Sequence, residues 1–168
     1  VLSAYLVDLF LPIGVLELPF TTNTMDEHRM AAEKLRPFFE EQFAKKGLLL
    51  KSIHTWPSQQ IYSTKVPFAK VADWKGKKVR VYGVEASELV KALGAAPVNI
   101  PFGELYTALQ RNVADAAVTS ATNAEPMKFF EVTKYLNYWN INAASLEFLG
   151  VNKKAWEALS PDLRKAFD

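Results

Sequence analysis

The chain has 168 residues, of which 49% are apolar and 23% are charged, so the sequence predicts a globular protein of one ordinary domain or of parts of two. The formal net charge of +2 is too small to indicate a nucleic-acid-binding surface, and the basic residues form no stripe that could follow a phosphate backbone. The absence of cysteine excludes a disulfide scaffold, a thiol nucleophile and cysteine-ligated metal sites.

The opening stretch, residues 1–20, is apolar but differs from a signal peptide. It has no basic leader, contains Asp8 and is interrupted by Pro12 and Gly14. We therefore expect it to be part of the folded protein, with any signal peptide absent from this chain. No segment reaches the length of a membrane span, so direct insertion into a membrane is not expected.

The first half of the chain predicts two helices, a strand and a crossover. Residues 24–35 begin with a capping box and keep helical spacing, and Pro37 predicts a break before a second helix over residues 38–47. Its buried stripe would be Leu35, Phe38, Phe39 and Phe43. Residues 48–53 predict a buried strand. Residues 56–76 contain two prolines and many polar residues, which predicts an irregular crossover.

Strands and helices are predicted to alternate along the second half. The expected extended segments are residues 78–83, 96–102, 114–120 and 137–152, and the expected helices are residues 87–95, 103–112, 125–136, 152–159 and 160–168. This alternation predicts an α/β fold with mostly parallel sheets flanked by helices. The last helix begins strongly at Ser160 but stops within about two turns without a capping residue. We expect that the chain is incomplete.

Sequence motifs for catalysis are absent. There is no G-x-S-x-G, no phosphate-binding glycine loop and no dinucleotide fingerprint. The only histidines, His28 and His54, have no second histidine at ligand spacing, so no metal site and no cofactor are predicted. Nothing assembles into a nucleophile, a base and an orienting group, so the sequence does not predict an enzyme.

Arg80 raises the main functional question of the sequence. It lies between Val79 and Val81 in a short predicted strand, and strand alternation places both valines on the opposite face from Arg80. If the face of Arg80 is solvated, the residue has no specific role. If that face lines a cleft, the guanidinium is suited to bind a carboxylate or a phosphate in bidentate fashion.

Six stretches with short motifs cover nearly the whole chain. They are LELPF (16–20), D-x-K-G-x-K-x-R-V (73–81), KALGAAPVNIPFGELYTALQ (91–110), VADAAVTS (113–120), KFFEVTKYL (128–136) and VNKKAWEALSPDLRKAF (151–167). In this order they resemble the solute-binding proteins of TRAP transporters, the DctP-type family. The block over residues 91–110 is the most specific, because a helix cap, an extended proline stretch and a second helix follow one another there at one spacing.

The resemblance implies a periplasmic-binding-protein-like fold of two α/β lobes that close over a ligand. Family members are longer, so residues 1–66 would form the end of the first lobe and the crossover, residues 67–140 the second lobe, and residues 141–168 a truncated return segment. It further implies a periplasmic receptor, not an enzyme, that captures a small organic acid and delivers it to integral-membrane permease subunits.

The resemblance also assigns candidate ligand-binding residues. The matching arginine of the family faces the cleft and pairs with the ligand carboxylate, and here it is Arg80. Phe102 matches an aromatic residue that packs against the ligand in some members, and a place in the core beside the start of a helix would explain it equally well. Thr119 stands where many members have asparagine, and its hydroxyl and that of Ser120 could donate to a ligand. Tyr82 follows Arg80 in the strand, where it could equally fill the core.

Further candidates lie outside these motifs. Many acid-binding members have another arginine before the D-x-K-G turn, where this chain has Gln59 and Gln60. Because glutamine can form hydrogen bonds but has no charge, this difference puts recognition of dicarboxylates or sialic acids in doubt and favours a monocarboxylate. Trp139 and Asn140 follow in a segment that, by the resemblance, runs near the cleft, but for each of them packing of the loop is the favoured explanation. Two other functions remain open: a ligand-sensing regulatory module of the same fold and, with less support, a small α/β enzyme.

Overall fold

The computed structural model describes residues 11–167, with side chains from residue 14 onward. Residues 11–17 of the apolar opening form a short 3₁₀ helix, Leu11–Glu17. The expectation that the opening stretch is folded also concerns residues 1–10, which lie outside the described residues. Within the described part of the chain, no helix combines the length and the apolar character needed to cross a membrane.

The described residues alternate between helices and strands. The helices are α1 Met25–Lys45, α2 Val84–Ala92, α3 Leu105–Gln110, α4 Ala121–Ala124, α5 Lys153–Glu157 and α6 Pro161–Phe167. The strands are β1 Leu48–Pro57, β2 Gln60–Ser63, β3 Lys78–Val81, β4 Ala96–Asn99, β5 Ala116–Thr119, β6 Tyr135–Asn137 and β7 Ala144–Asn152. Further 3₁₀ turns cover Val71–Trp74, Phe102–Glu104 and Phe129–Glu131. The predicted α/β class is confirmed.

The strands form two sheets. β1 and β7 pair as a long antiparallel ribbon, and the other strands form a five-stranded sheet in the order β4-β3-β5-β2-β6. The prediction of mostly parallel strands holds only around β3, which is parallel to β4 and β5. β2 pairs antiparallel with β5 and with β6. The sheet is therefore mixed.

Helix α1 corrects the predicted break at Pro37, because it continues through that residue from Met25 to Lys45. Pro37 is exposed, while Phe39 and Phe43, on the opposite side, are fully buried against Phe148 of β7. This tertiary packing outweighs the local cost of a proline in the helix. The predicted end is confirmed, since Gly47 follows the helix with φ of +70°.

Two other segments differ from their predictions. The crossover over residues 56–76 contains strand β2, whose residues are all buried in the sheet. The helix predicted over residues 125–136 is replaced by turns, a 3₁₀ turn and strand β6. Lys128 interrupts a helix there with a left-handed backbone at φ of +53°, and the Asn137 side chain accepts from the amide of Phe68 and donates to the Ile61 carbonyl. These bonds fix the segment as a sheet edge.

Hydrophobic cores lie on both faces of the five-stranded sheet, and a third lies under the ribbon. Val79 and Val81 of β3 belong to the first core, while Tyr62 and Ala117 belong to the second. The third core joins α1 to the inner face of β7. As predicted, strand alternation places Arg80 away from the core that holds its two neighbouring valines.

Candidate functional site: a cavity between the ribbon and the sheet

A cavity of about 230 Å³ opens where the β1–β7 ribbon meets the five-stranded sheet. Side chains of both sheets and of the segments next to them line it. The lining residues are Trp56, Gln59, Arg80, Tyr82, Phe102, Thr119, Asn123, Ser145 and Glu147. The structure therefore brings together five residues that the sequence singled out, namely Gln59, Arg80, Tyr82, Phe102 and Thr119.

Arg80 is the buried cation of this cavity. Its side chain is only 4% exposed, which answers the question of whether its face is solvated. Nε donates to the carbonyl of Ile100 at 3.1 Å and Nη1 donates to the carbonyl of Val118 at 3.4 Å. These carbonyls follow β4 and lie in β5, the two strands that flank β3, so the sheet itself fixes the plane of the guanidinium.

Aromatic side chains line other parts of the cavity. Phe102, in the 3₁₀ turn before α3, remains 37% exposed, and Trp56 reaches the cavity from the end of β1. The Tyr82 hydroxyl lies against the side chains of Ser145 and Asn142. Burial, and secondarily the negative charge of Glu17, raise the pKa of Tyr82. The phenol is therefore neutral at ordinary pH and can donate a hydrogen bond.

Polar side chains complete the lining. Thr119 is 2% exposed and its hydroxyl accepts from the Asn123 side chain at 3.5 Å. The Gln59 side chain donates to the carbonyl of Pro57 at 2.9 Å, and its backbone amide donates to Asn142 at 3.4 Å. Gln59 thus joins the ribbon to the sheet at the edge of the cavity.

Glu147 is the most informative residue that sequence reasoning missed. Its Oε2 accepts a 3.0 Å hydrogen bond from Nε1 of Trp56. The signal was present in the sequence, because alternation along residues 144–148 buries Ala144, Leu146 and Phe148 and turns Ser145 and Glu147 to the other face. Trp56, Asn123, Ser145 and Glu147 were not among the sequence-predicted site residues.

Four predicted site residues lie outside the lining of this cavity. Ser120 is fully buried and its hydroxyl lies 2.9 Å from that of Thr122, at the start of α4. The Gln60 carbonyl oxygen accepts from the backbone amides of Trp139 and Asn140 at 3.0 and 3.1 Å. The Trp139 ring packs on a buried aromatic residue of the sheet core. Gln60, Trp139 and Asn140 therefore hold the loop before β7 in place.

The structure contains no evident metal centre in its described part. Residues 11–167 contain no group of three or more histidine, aspartate or glutamate side chains arranged to hold a metal ion. Among the described residues, the lining of the cavity instead combines one buried guanidinium, one carboxylate, neutral hydrogen-bond donors and aromatic walls. This set of groups suits noncovalent binding of a small polar molecule.

Comparison with known proteins identifies the class. The model of the DctP family, bacterial extracellular solute-binding protein family 7, matches residues 1–168. The chain therefore belongs to this family of extracytoplasmic solute-binding proteins, which includes the receptors of TRAP transporters. The family consists of binding proteins.

Individual relatives agree with this assignment. The chain is 28% identical to the 2,3-diketo-L-gulonate-binding periplasmic protein YiaO of Escherichia coli over 158 residues, which are 92% of this chain and 47% of the relative. The crystal structure of DctP7, a Bordetella pertussis extracytoplasmic solute receptor binding pyroglutamic acid, superposes with a TM-score of 0.90 at 28% identity and covers 99% of this chain and 55% of that one. A TRAP periplasmic solute-binding protein from Desulfovibrio salexigens with bound orotic acid superposes with a TM-score of 0.87 at 27% identity, covering 99% and 54%. The chain thus spans about half the length of these relatives.

Proposed function

We propose that this chain is part of a TRAP transporter receptor that binds a small organic acid outside the cytoplasm and delivers it to integral-membrane permease subunits, without catalysing a reaction. The observation that carries the proposal is the buried guanidinium of Arg80, held in a fixed plane at the wall of a 230 Å³ cavity. Family membership and the resemblance to two receptors crystallised with acids support it.

Arg80 would bind the carboxylate of the ligand. A guanidinium has five N–H donors in a rigid fork, so bonds to two carbonyls are compatible with a bidentate pair to a carboxylate. Because the sheet already orders the side chain, little rotamer entropy is lost when the ligand binds. Exclusion of water by the aromatic walls would strengthen the charge pair further.

The ligand would also favour closure of two lobes. The cavity lies between the ribbon with α1 on one side and the five-stranded sheet on the other, so a bound molecule contacts both. In this proposal, residues 1–66 form the end of the first lobe and the crossover, which adds β2 to the five-stranded sheet. Residues 67–140 form the rest of the second lobe, and residues 141–168 return toward the first. A ligand that touches both lobes stabilises the closed arrangement, which a permease would recognise.

A single described guanidinium in the cavity favours a monocarboxylate over a dicarboxylate. The neighbouring Gln59 brings hydrogen-bonding capacity but no charge. The acids named for the similar structures, pyroglutamic acid and orotic acid, each present one carboxylate and are small. An acid of this size is the class that we propose for this protein.

Native mass spectrometry of the protein expressed from its complete gene tests the proposal, followed by calorimetric titration with small carboxylic acids and with the carboxamides of the same acids. We expect a small acid to be released on denaturation and the acids to bind while their carboxamides do not. Equal binding of an acid and its carboxamide, or turnover of the bound acid, would contradict the proposal.

A further inference from the structure

The cavity contains a negative charge as well as a positive one. Glu147 lines it from strand β7, and Arg80 lines it from strand β3 of the other sheet. A molecule bound in this cavity of about 230 Å³ therefore meets a cationic and an anionic side chain. A site that only had to attract an anion would gain nothing from the carboxylate, because like charges repel.

The position of the Glu147 carboxylate is fixed by the ribbon. β1 pairs Trp56 with Ser145, so Trp56 is the diagonal cross-strand neighbour of Glu147. From there the indole N–H donates to Oε2 at 3.0 Å. A carboxylate has two oxygens that together accept about four hydrogen bonds, and this bond orients the group.

Other polar side chains share the lining with Glu147. The hydroxyl of Ser145, from the same face of β7, accepts from the Asn142 side chain at 3.0 Å. The Gln59 side chain donates from Nε2 to the carbonyl of Pro57 at 2.9 Å, and its carbonyl oxygen is an acceptor. These groups are neutral, so the charges of the described lining come from Arg80 and Glu147.

We propose that Glu147 selects the ligand: the site takes a monocarboxylate that carries a hydrogen-bond donor, N–H or O–H, next to its carboxylate, and it rejects acids without such a donor and acids with a second carboxylate. The inference rests on the proposed function and deepens it. The donor of the ligand bonds to Glu147 while its carboxylate pairs with Arg80. A second carboxylate would instead be repelled by the charge of Glu147.

A purely structural role for Glu147 predicts a different result. If the carboxylate served only to hold Trp56, its replacement would lower the stability of the ribbon and weaken every ligand by a similar factor. A selective role changes the ranking of ligands. The Glu147→Gln variant separates the two, because glutamine keeps the size of the side chain and an oxygen that can accept from Trp56.

The experiment is calorimetric titration of the protein from its complete gene, wild type and Glu147→Gln, with five-membered-ring acids of nearly equal size. L-Proline and L-pyroglutamate carry a cationic and a neutral N–H next to the carboxylate, and 1-hydroxycyclopentanecarboxylate carries an O–H. Tetrahydrofuran-2-carboxylate and cyclopentanecarboxylate have no donor, and cis-cyclopentane-1,2-dicarboxylate has a second charge. The control is Glu157→Gln, an exposed position on α5.

We expect wild type to bind at least one donor-bearing acid about 10- to 100-fold more tightly than the donorless acids, the ratio typical of a hydrogen bond to a charged group. Glu147→Gln should reduce that preference and improve binding of the dicarboxylate, while Glu157→Gln should change neither. The three donor acids then distinguish N–H from O–H ligands. A Trp56→Phe variant, which keeps a ring but removes the N–H, should weaken the same preference.

An unchanged ranking in Glu147→Gln, equal binding of donor and donorless acids by wild type, or no binding of any ring acid would overturn the inference. These failures are distinguishable from failure of the proposed function, which is judged by the comparison of acids with their carboxamides. A receptor that binds acids through Arg80 but ignores the donor would keep the proposed function and lose only the role of Glu147.

Discussion

Phe148 is the residue through which the hydrophobic core supports the cavity wall, and its truncation gives a quantitative prediction. Its ring is 1% exposed and packs at 5.1 Å from that of Phe39 and 5.7 Å from that of Phe43, both on α1. Its neighbour in β7 is Glu147, whose side chain points to the opposite face. Burial of such a ring removes roughly 150–250 Å² from water, which at about 25 cal/mol per Å² corresponds to about 4–6 kcal/mol as an upper bound.

Phe148→Ala should therefore lower the free energy of unfolding by about 4 kcal/mol, within the range of about 3–5 kcal/mol typical of buried phenylalanine truncations. Equilibrium unfolding in urea measures this change as a lower midpoint at similar slope. Leu149→Ala is the matched control, because Leu149 is the next residue of β7 and is 53% exposed, and it should change stability by less than about 0.5 kcal/mol. A loss below about 1 kcal/mol for Phe148→Ala would refute the packing of the ribbon on α1.

Two further predictions concern helix α1. Burial lowers the pKa of His28 below 6.5, so the folded protein holds the ring neutral, whereas the unfolded chain takes up a proton as the pH falls. The free energy of unfolding should therefore decline from pH 7 to pH 5 in urea unfolding, and His28→Gln should flatten this decline; an unchanged decline would contradict the prediction. Pro37→Ala restores a backbone amide to the interior of α1 at an exposed position, and it should raise the free energy of unfolding by about 1–3 kcal/mol. Urea unfolding measures this change, and a lower midpoint for the variant would contradict the prediction.

Local signals predicted the elements whose structure depends on nearby residues. The end of α1 at Gly47 and the cap of α5, where Asn152 accepts from the amide of Ala155 at 3.1 Å, were both visible in the sequence. Strand alternation separated Arg80 from Val79 and Val81. Each of these features is decided within a few residues, so one sequence contains enough information.

Features that depend on distant parts of the chain were not predictable in this way. Pro37 reads locally as a helix break, but Phe39 and Phe43 are held on one continuous helix by Phe148, more than a hundred residues away. Likewise, β6 forms in a segment with helical composition because Asn137 bonds to Ile61 and Phe68. Long-range packing outweighs local propensity in both segments.

The same contrast between local signals and long-range packing applies to the residues of the candidate site. Arg80 was predicted because a resemblance marked its strand, and its burial agrees with a cleft position. Glu147 was missed although it has the same pattern, a charge between apolar residues of a strand. Glu147 becomes a candidate site residue because it lines the same cavity as residues of the other sheet. That cavity depends on the antiparallel pairing of β1 with β7 and on the position of this ribbon next to the five-stranded sheet, and one strand of sequence shows neither.

Calorimetric titration of Arg80→Ala tests most directly the claim that Arg80 binds the carboxylate of the ligand. The ligand is the acid that copurifies with the wild-type protein, and the control is Arg111→Ala, which replaces an exposed arginine after α3. Loss of a buried charged partner typically costs about 2–5 kcal/mol, so the account predicts roughly 30-fold to several-thousand-fold weaker binding for Arg80→Ala and unchanged binding for Arg111→Ala. Binding as tight as wild type by a folded Arg80→Ala protein would contradict the account.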